Sequence, residues 1–222
     1  MNFILTNRDR INLPPNQCLL TFDDGPAGRV TNELIAVLRE FNTKACFCLI
    51  GSLVRNQPEQ VQRIADEGHI LVNHTYHHRF ANLLSLDRLE KDLSLCDAAV
   101  AEAIGGSFVP LLWFRPPFGL ITDAVRIVAK TRRILPITHF AFDTLFRTDR
   151  AISAARSIVR DAKRHRGGIY VLHDGLFQSH VSKVESSNRI WIPRAVRRIL
   201  EELSGCGFEF PEPEKLLRDI LI

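Results

Sequence analysis

Residues 18–30 read CLLTFDDGPAGRV. The run Cys18–Phe22 has the length and apolar character of a short buried strand, and Gly25–Pro26 is the turn that ends it. A helical pattern starts at Val30. Two carboxylates, Asp23 and Asp24, therefore stand side by side at the C-terminal tip of a strand, where like charges repel. Such a pair needs a partner to hold it.

The same strand–turn–helix grammar repeats outward along the chain. Strand-like runs fall at Cys18–Phe22, Lys44–Ile50, His69–Asn73, Leu111–Phe114, Ile137–Phe142, Ile169–Leu172 and Gly207–Phe210. Between them lie helical patterns at Val30–Phe41, Pro58–Glu67, Leu86–Ile104, Thr122–Arg132, Asp149–Arg166 and Ile192–Leu203. Their apolar residues recur at three- and four-residue steps, as in Leu89, Leu93, Cys96 and Val100. Pro58 opens one helix and Gly68 closes it. This alternation predicts an α/β fold with a parallel sheet and outer helices. About seven strands in one chain favour a distorted, closed or nearly closed (β/α) barrel over an open doubly wound sheet. The whole of residues 1–222 reads as one domain, with 1–17 an N-terminal extension.

Bulk properties narrow the function. The chain of 222 residues is 45% hydrophobic and 24% charged, with a net charge of +4, as in ordinary soluble globular proteins. Basic residues crowd Arg126–Arg133, Arg156–Arg166 and Arg194–Arg198 at helical spacings. They are either solvated helix faces or a surface for an acidic or phosphate-bearing partner. No aromatic-interleaved basic surface is present, so no nucleic-acid partner is expected. The first residues, MNFILTNRDRINLPPNQ, carry early charges and no long apolar core, unlike a secretory signal or a membrane span. Five cysteines without a CxxC spacing suggest free thiols in a reducing cytoplasm. Cys46 and Cys48, two apart on one strand, face the same side and do not easily bridge each other.

In parallel α/β folds the chemistry gathers at the C-terminal strand tips, and each unusual polar cluster here lies at one. After the third strand comes NHTYHH, with His74, Thr75, His77 and His78. His74 and His78, four apart, turn toward one point if the backbone makes a helical turn. Two imidazoles and one carboxylate make a divalent-metal site with open positions, the arrangement of catalysis rather than of structure. One aspartate then binds the cation, and the other is left as a base near an acidified water. After the fourth strand, WFRPPFG offers Arg115 as a fixed cationic fork for the free aspartate. The stiff turn after it carries a backbone N–H for a developing oxyanion. After the sixth strand, VLHDG places His173 at another tip, opposite the base, where a leaving amine needs a proton.

Taken singly, each cluster also has a plain reading: turn chemistry for Asp23–Asp24, surface or capping roles for the histidines, a polar turn capped by Asp174. Together TFDDGP, HTYHH, RPPFG and LHDG, in this order, resemble the signature motifs of the polysaccharide deacetylase family, also called the NodB homology domain or carbohydrate esterase family 4. The resemblance runs from about Leu19 to Gly175, and the family fold is a distorted β/α barrel. It implies Asp23 as general base and Asp24, His74 and His78 as ligands of a divalent metal, usually zinc. Thr75 would shape the metal loop, Arg115 would orient Asp23, and the N–H of Phe118 would complete the oxyanion hole. Leu172 would wall the acyl pocket, and His173 would be the general acid. The implied reaction is hydrolysis of an N-acetyl group on N-acetylglucosamine-type units, with metal-bound water as nucleophile.

The chain departs from the family in FAFDTLFRTDR, where Phe146 and Arg147 stand in place of an expected Asp-Trp. Without that aspartate His173 holds its proton less tightly, unless Asp143 or Asp149 fills in. Asp149 also reads as a helix cap. Arg147, if turned inward, suits an anionic substrate group; otherwise it faces solvent. Trp191 either stacks on a sugar ring or opens a helix into the core. The expected substrate is a soluble oligosaccharide or an N-acetylated biosynthetic intermediate. The rivals are an amide hydrolase or deformylase acting on a small, anionic molecule, and a catalytically silent glycan-binding domain.

Overall fold

Residues alternate strictly between two apolar layers along each central strand, and this alternation builds the molecule. The computed structural model describes residues 2–3, 11–140, 150–176 and 189–220. In chain order the described strands are β1 (Asn2–Phe3), β2 (Gln17–Gly25), β3 (Cys46–Leu49), β4 (Ile70–Asn73), β5 (Trp113–Phe114), β6 (Leu120–Ile121), β7 (Arg133–Ile134), β8 (His139–Phe140) and β9 (Gly167–His173). The helices are α1 (Arg29–Glu40), α2 (Gly51–Asn56), α3 (Pro58–Asp66), α4 (Leu86–Ala103), α5 (Asp123–Val128), α6 (Arg150–His165), α7 (Ile192–Ser204) and α8 (Pro213–Asp219). Seven strands form one sheet in the order β7-β5-β4-β3-β2-β9-β8, with every neighbouring pair parallel. The sheet curls into the distorted (β/α) barrel expected from the sequence, with helices outside.

On β2, Cys18, Leu20 and Phe22 face the helices, where they join Phe47, Leu49, Tyr170 and Leu172 in one core. Leu19 faces inward with Cys46, Cys48, Val72, Trp113 and Ile169, and this inner layer is plugged by Leu216 and Leu217 of α8 and by Ile220 just after it. Both faces being buried explains why the strands read as nearly unbroken apolar runs. The inward positions nearest the strand tips are polar: Thr21 and Asp23 on β2, His173 on β9. All five cysteines are free thiols, four of them buried, and Cys46 and Cys48 share the inner layer. Among the described residues no helix is long and apolar enough to cross a membrane.

Two expected elements come out differently. Gly207–Phe210 is not a strand of the sheet; it makes one isolated bridge, Gln17 with Glu209. The missing strand is β7, because the helical pattern read through to Arg132 stops at Val128. Arg133–Ile134 then pairs with β5. The helices α2 and α8 are too short for their periodicity to stand out in the sequence.

Candidate active site

Consecutive strand residues point to opposite faces, so adjacent aspartates on a regular strand could not share a site. The register resolves this. Asp23 lies opposite Cys48 and Gly25 opposite Leu49, with a shift between them, so Asp24 is the extra residue of a bulge. Its φ of 68° is left-handed, a conformation aspartate tolerates better than most residues. The bulge swings the Asp24 carboxylate back to the side of Asp23. Gly25 is required next, since a Cβ there would lie 2.6 Å from Asp174 Oδ2. Gly175 is required on the facing loop, where a Cβ would meet the Asp24 carbonyl oxygen at 2.0 Å.

The histidine loop is not the helical turn that the spacing suggested. Thr75 and His78 both have positive φ, 65° and 49°, and the loop is held by side chains. The Thr75 N–H donates to Asn73 Oδ1 (2.8 Å) and the His78 N–H to Thr75 Oγ1 (3.0 Å). Asn73 in turn donates to the Leu93 carbonyl (2.9 Å) and to Asp97 Oδ1 (2.7 Å) on α4, and Arg132 pairs with Asp97 at 2.6 Å. His77 turns away and pairs with buried Asp92, also on α4. Thr75 therefore braces this loop; Asn73 opens the NHTYHH stretch, and Asp92 and Asp97 lie in no motif.

His74 Nδ1 lies 2.7 Å from the Arg115 carbonyl oxygen, which only accepts, so Nδ1 carries the ring proton. Nε2 of His74 and Nε2 of His78 then face Asp24 Oδ1 at 3.5 and 3.3 Å. A neutral imidazole lone pair faces a carboxylate stably only with a cation between them. Burial works against the Asp24 charge, but the surrounding imidazoles of His74, His78 and His173 outweigh it and hold the carboxyl below the usual range. Burial, then the neighbouring His74, pushes His78 down to about 4, leaving it a neutral ligand at ordinary pH. The three ligand atoms lie within 4.8 Å of one another. Tetrahedral zinc, with bonds of ~2.0–2.1 Å, sets its ligands about 3.3 Å apart. The Asp24–His74–His78 donor set fits such an ion in chemistry and in spacing.

Arg115 is 1% exposed and projects from the tip of β5 into the barrel. Its Nη1 donates to Asp23 Oδ1 (2.8 Å) and Thr21 Oγ1 (2.7 Å), its Nη2 to the Pro136 carbonyl (3.3 Å). Cys48 lies opposite Asp23 in the β2–β3 register, and burial pushes its thiol well above the usual range. Asp23 and His173 are opposite each other in the β2–β9 register, across the same inward face. Phe118 has φ 61° and its ring packs on His78 at 4.6 Å. Arg189, fully buried, holds the His173 carbonyl with Nε and Nη2 at 3.1 and 2.8 Å. Asp174, also fully buried, accepts from Thr31 Oγ1 at 2.5 Å. Burial and the nearby Asp24 push its carboxyl up to about 6 against the pull of Thr31.

Two expected substrate contacts sit elsewhere. Leu172 packs in the helix-facing core, and alternation gives the inward face beside His173 to Val171, which makes Leu172 a packing residue. Trp191 stands at the start of α7, half-buried against the core, with the Arg189 guanidinium 5.0 Å above its ring. Asp143, Thr144, Phe146, Arg147 and Asp149 lie outside the described residues.

Known proteins are similar to this chain in sequence and in fold. The family model described as Polysaccharide deacetylase matches residues 10–134. A peptidoglycan-N-acetylglucosamine deacetylase of Bacillus cereus is 32% identical over 214 residues, covering 93% of this chain and 91% of its own. A chitooligosaccharide deacetylase of Sinorhizobium fredii is 28% identical over 85% of this chain and 86% of its own. Among solved structures, a deacetylase with substrate superposes with a TM-score of 0.74 at 26% identity, covering 92% of both chains. A polysaccharide deacetylase from Bacillus cereus gives 0.72 at 26% identity, covering 89% of this chain and 91% of its own. The chain belongs to the polysaccharide deacetylase family and is a deacetylase that hydrolyses N-acetyl amide bonds.

Proposed function

We propose that this deacetylase removes the acetyl group from N-acetylglucosamine-type units of a soluble oligosaccharide or biosynthetic intermediate, with a divalent cation, zinc by its donor set, held by Asp24, His74 and His78. The observation that carries this reading is the buried Asp24–His74–His78 cluster standing beside the Asp23–Arg115 pair. When bound, the cation supplies a Lewis acid that acidifies water and polarises the acyl oxygen. Asp23, fixed by the Arg115 fork, accepts the proton released as water adds to the acyl carbon. Its orientation is set before substrate arrives, because Thr21 and the Pro136 carbonyl hold the guanidinium from the other side. The Phe118 backbone turn is the donor to the developing oxyanion. His173, across the β2–β9 register, gives a proton to the departing nitrogen, so acetate leaves and a free amine remains.

The experiment is mass spectrometry of short N-acetylglucosamine oligomers incubated with zinc-loaded protein, with and without a chelator. Chelator-sensitive loss of acetyl groups is expected. Zinc-loaded protein that leaves these oligomers intact would overturn the substrate assignment.

A further inference from the structure

The basic run Arg156–Arg166 has no part in the chemistry above. It occupies α6, outside the barrel beside the edge strand β8. Arg156, Arg160 and Arg164 recur at four-residue steps, so their side chains form one ridge with a rise of about 6 Å per step. All three are exposed. Several arginines elsewhere on the surface are paired with acids: Arg197 with Glu40, Arg198 with Glu202, Arg29 with Glu33 and Arg39 with Glu67. On this ridge no carboxylate is paired with an arginine among the described residues. The local acid, Asp161, instead faces His139 at 3.4 Å and His165 at 3.7 Å. Like charges four apart weaken a helix. The dipole at the helix C-terminus offsets this for Arg164 but not for Arg156 or Arg160.

The ridge flanks a cavity of about 440 Å³ whose lining includes Ser153, Ser157 and His139. Ser157 Oγ lies 2.9 Å from His139 Nε2, a serine–histidine–aspartate array in outline. It lacks an oxyanion donor, because the serine lies in mid-helix, where backbone N–H groups are already bonded. The lining carries no apolar side chain, which disfavours a lipid surface. Of its two imidazoles, His139 packs edge-on to Tyr170 and His165 faces Asp161, and no Phe, Tyr or Trp lines it, so it lacks the broad stacking platform that nucleobases use. One carboxylate, Asp161, also lines the cavity but faces two histidines, so three arginines spaced about 6 Å apart leave a net cationic, polar surface that suits an anionic carbohydrate chain.

We propose that this α6 face is a second, non-catalytic site that binds a polyol or glycan chain joined by phosphodiesters. Because α6 joins two parallel neighbours, β8 and β9, it runs antiparallel to them. The ridge therefore leads from the strand-tip face, where the active site lies, down the outside of the barrel. A chain held there would keep its attached sugars near the metal loop.

The test is fluorescence anisotropy with labelled poly(glycerol phosphate) over a salt series, using zinc-loaded full chain. Wild type should bind at low salt. R156Q/R160Q/R164Q should bind at least tenfold more weakly, with a log K against log salt slope shallower by about 2, and should melt at the wild-type temperature. A charge-matched control, R88Q/K91Q/K130Q, should bind like wild type. The proposal is overturned if wild type does not bind, if the two variants lose affinity equally, or if the α6 variant binds like wild type. It is also overturned if wild type binds single-stranded DNA or phosphatidylglycerol vesicles as tightly at the same salt. None of these readouts depends on acetyl release, so the catalytic reading stands or falls separately.

Discussion

Replacing Arg115 by methionine tests how the opening aspartate pair is held. The guanidinium is 1% exposed and Asp23 5% exposed, so the substitution leaves a carboxylate inside the barrel without its cation. Three hydrogen bonds go with it, to Asp23, Thr21 and the Pro136 carbonyl. Stranding one member of a buried ion pair costs ~3–5 kcal/mol, which for a chain of this size lowers Tm by roughly 6–20 °C. Methionine fills much of the same volume, so the loss is electrostatic rather than a cavity. The contact to His74 survives, because it uses the Arg115 backbone carbonyl. The assay is urea unfolding at pH 7 with chelator present, comparing wild type, R115M, D23N and D23N/R115M. Removing both charges leaves no stranded group, so the double variant should recover more than half of the R115M loss. A loss below about 1 kcal/mol for R115M, on the scale of an exposed ion pair, would refute this account. So would a double variant no more stable than R115M.

Asp24→Ala should abolish zinc binding by calorimetry, whereas Asp23→Asn should keep zinc and lose turnover; the opposite pattern would exchange their roles. Asp97→Asn should weaken zinc about tenfold in a chromophore competition, because it loosens the Asn73 brace behind the ligand loop; unchanged affinity would show that α4 does not position the ligands. Burial, then the Lys44 charge, pushes His69 down to about 4 from an ordinary 6.5. The unfolded chain then takes up this proton below pH 6.5 and the native state only near pH 4, so His69 lowers stability progressively as pH falls through that window, by about 3 kcal/mol in all. His69→Gln should flatten the acid limb of the stability–pH curve by that amount, and parallel curves for the two proteins would contradict the assignment.

The motifs were legible because each is local. A strand announces itself by an apolar run, its end by Gly-Pro, and the residues between are those that can reach a site; hence TFDDGP, HTYHH, RPPFG and LHDG could be placed at strand tips before any contact was known. The barrel class followed from the same alternation. Apolar runs do not reveal which short segment pairs with which, so Gly207–Phe210 reads as a strand and Arg133–Ile134 does not. Leu172 was misplaced because a family motif names a position, whereas the face it meets depends on strand parity.

By itself, then, the sequence determined the layered α/β barrel and the set of chemical groups at its mouth, since periodicity and turn chemistry act over a few residues. Only the tertiary structure decided how those groups are aimed. The bulge at Asp24, the left-handed Thr75 and His78, and the buried braces Asn73, Asp97 and Arg189 have no local signature. The pairing of Arg115 with Asp23, 92 residues away, is expected from the motifs, but the grip of Thr21 and the Pro136 carbonyl on that guanidinium has no local signature. Each is stable only because distant backbone and side-chain partners meet there and offset the cost of burying charge and polar groups.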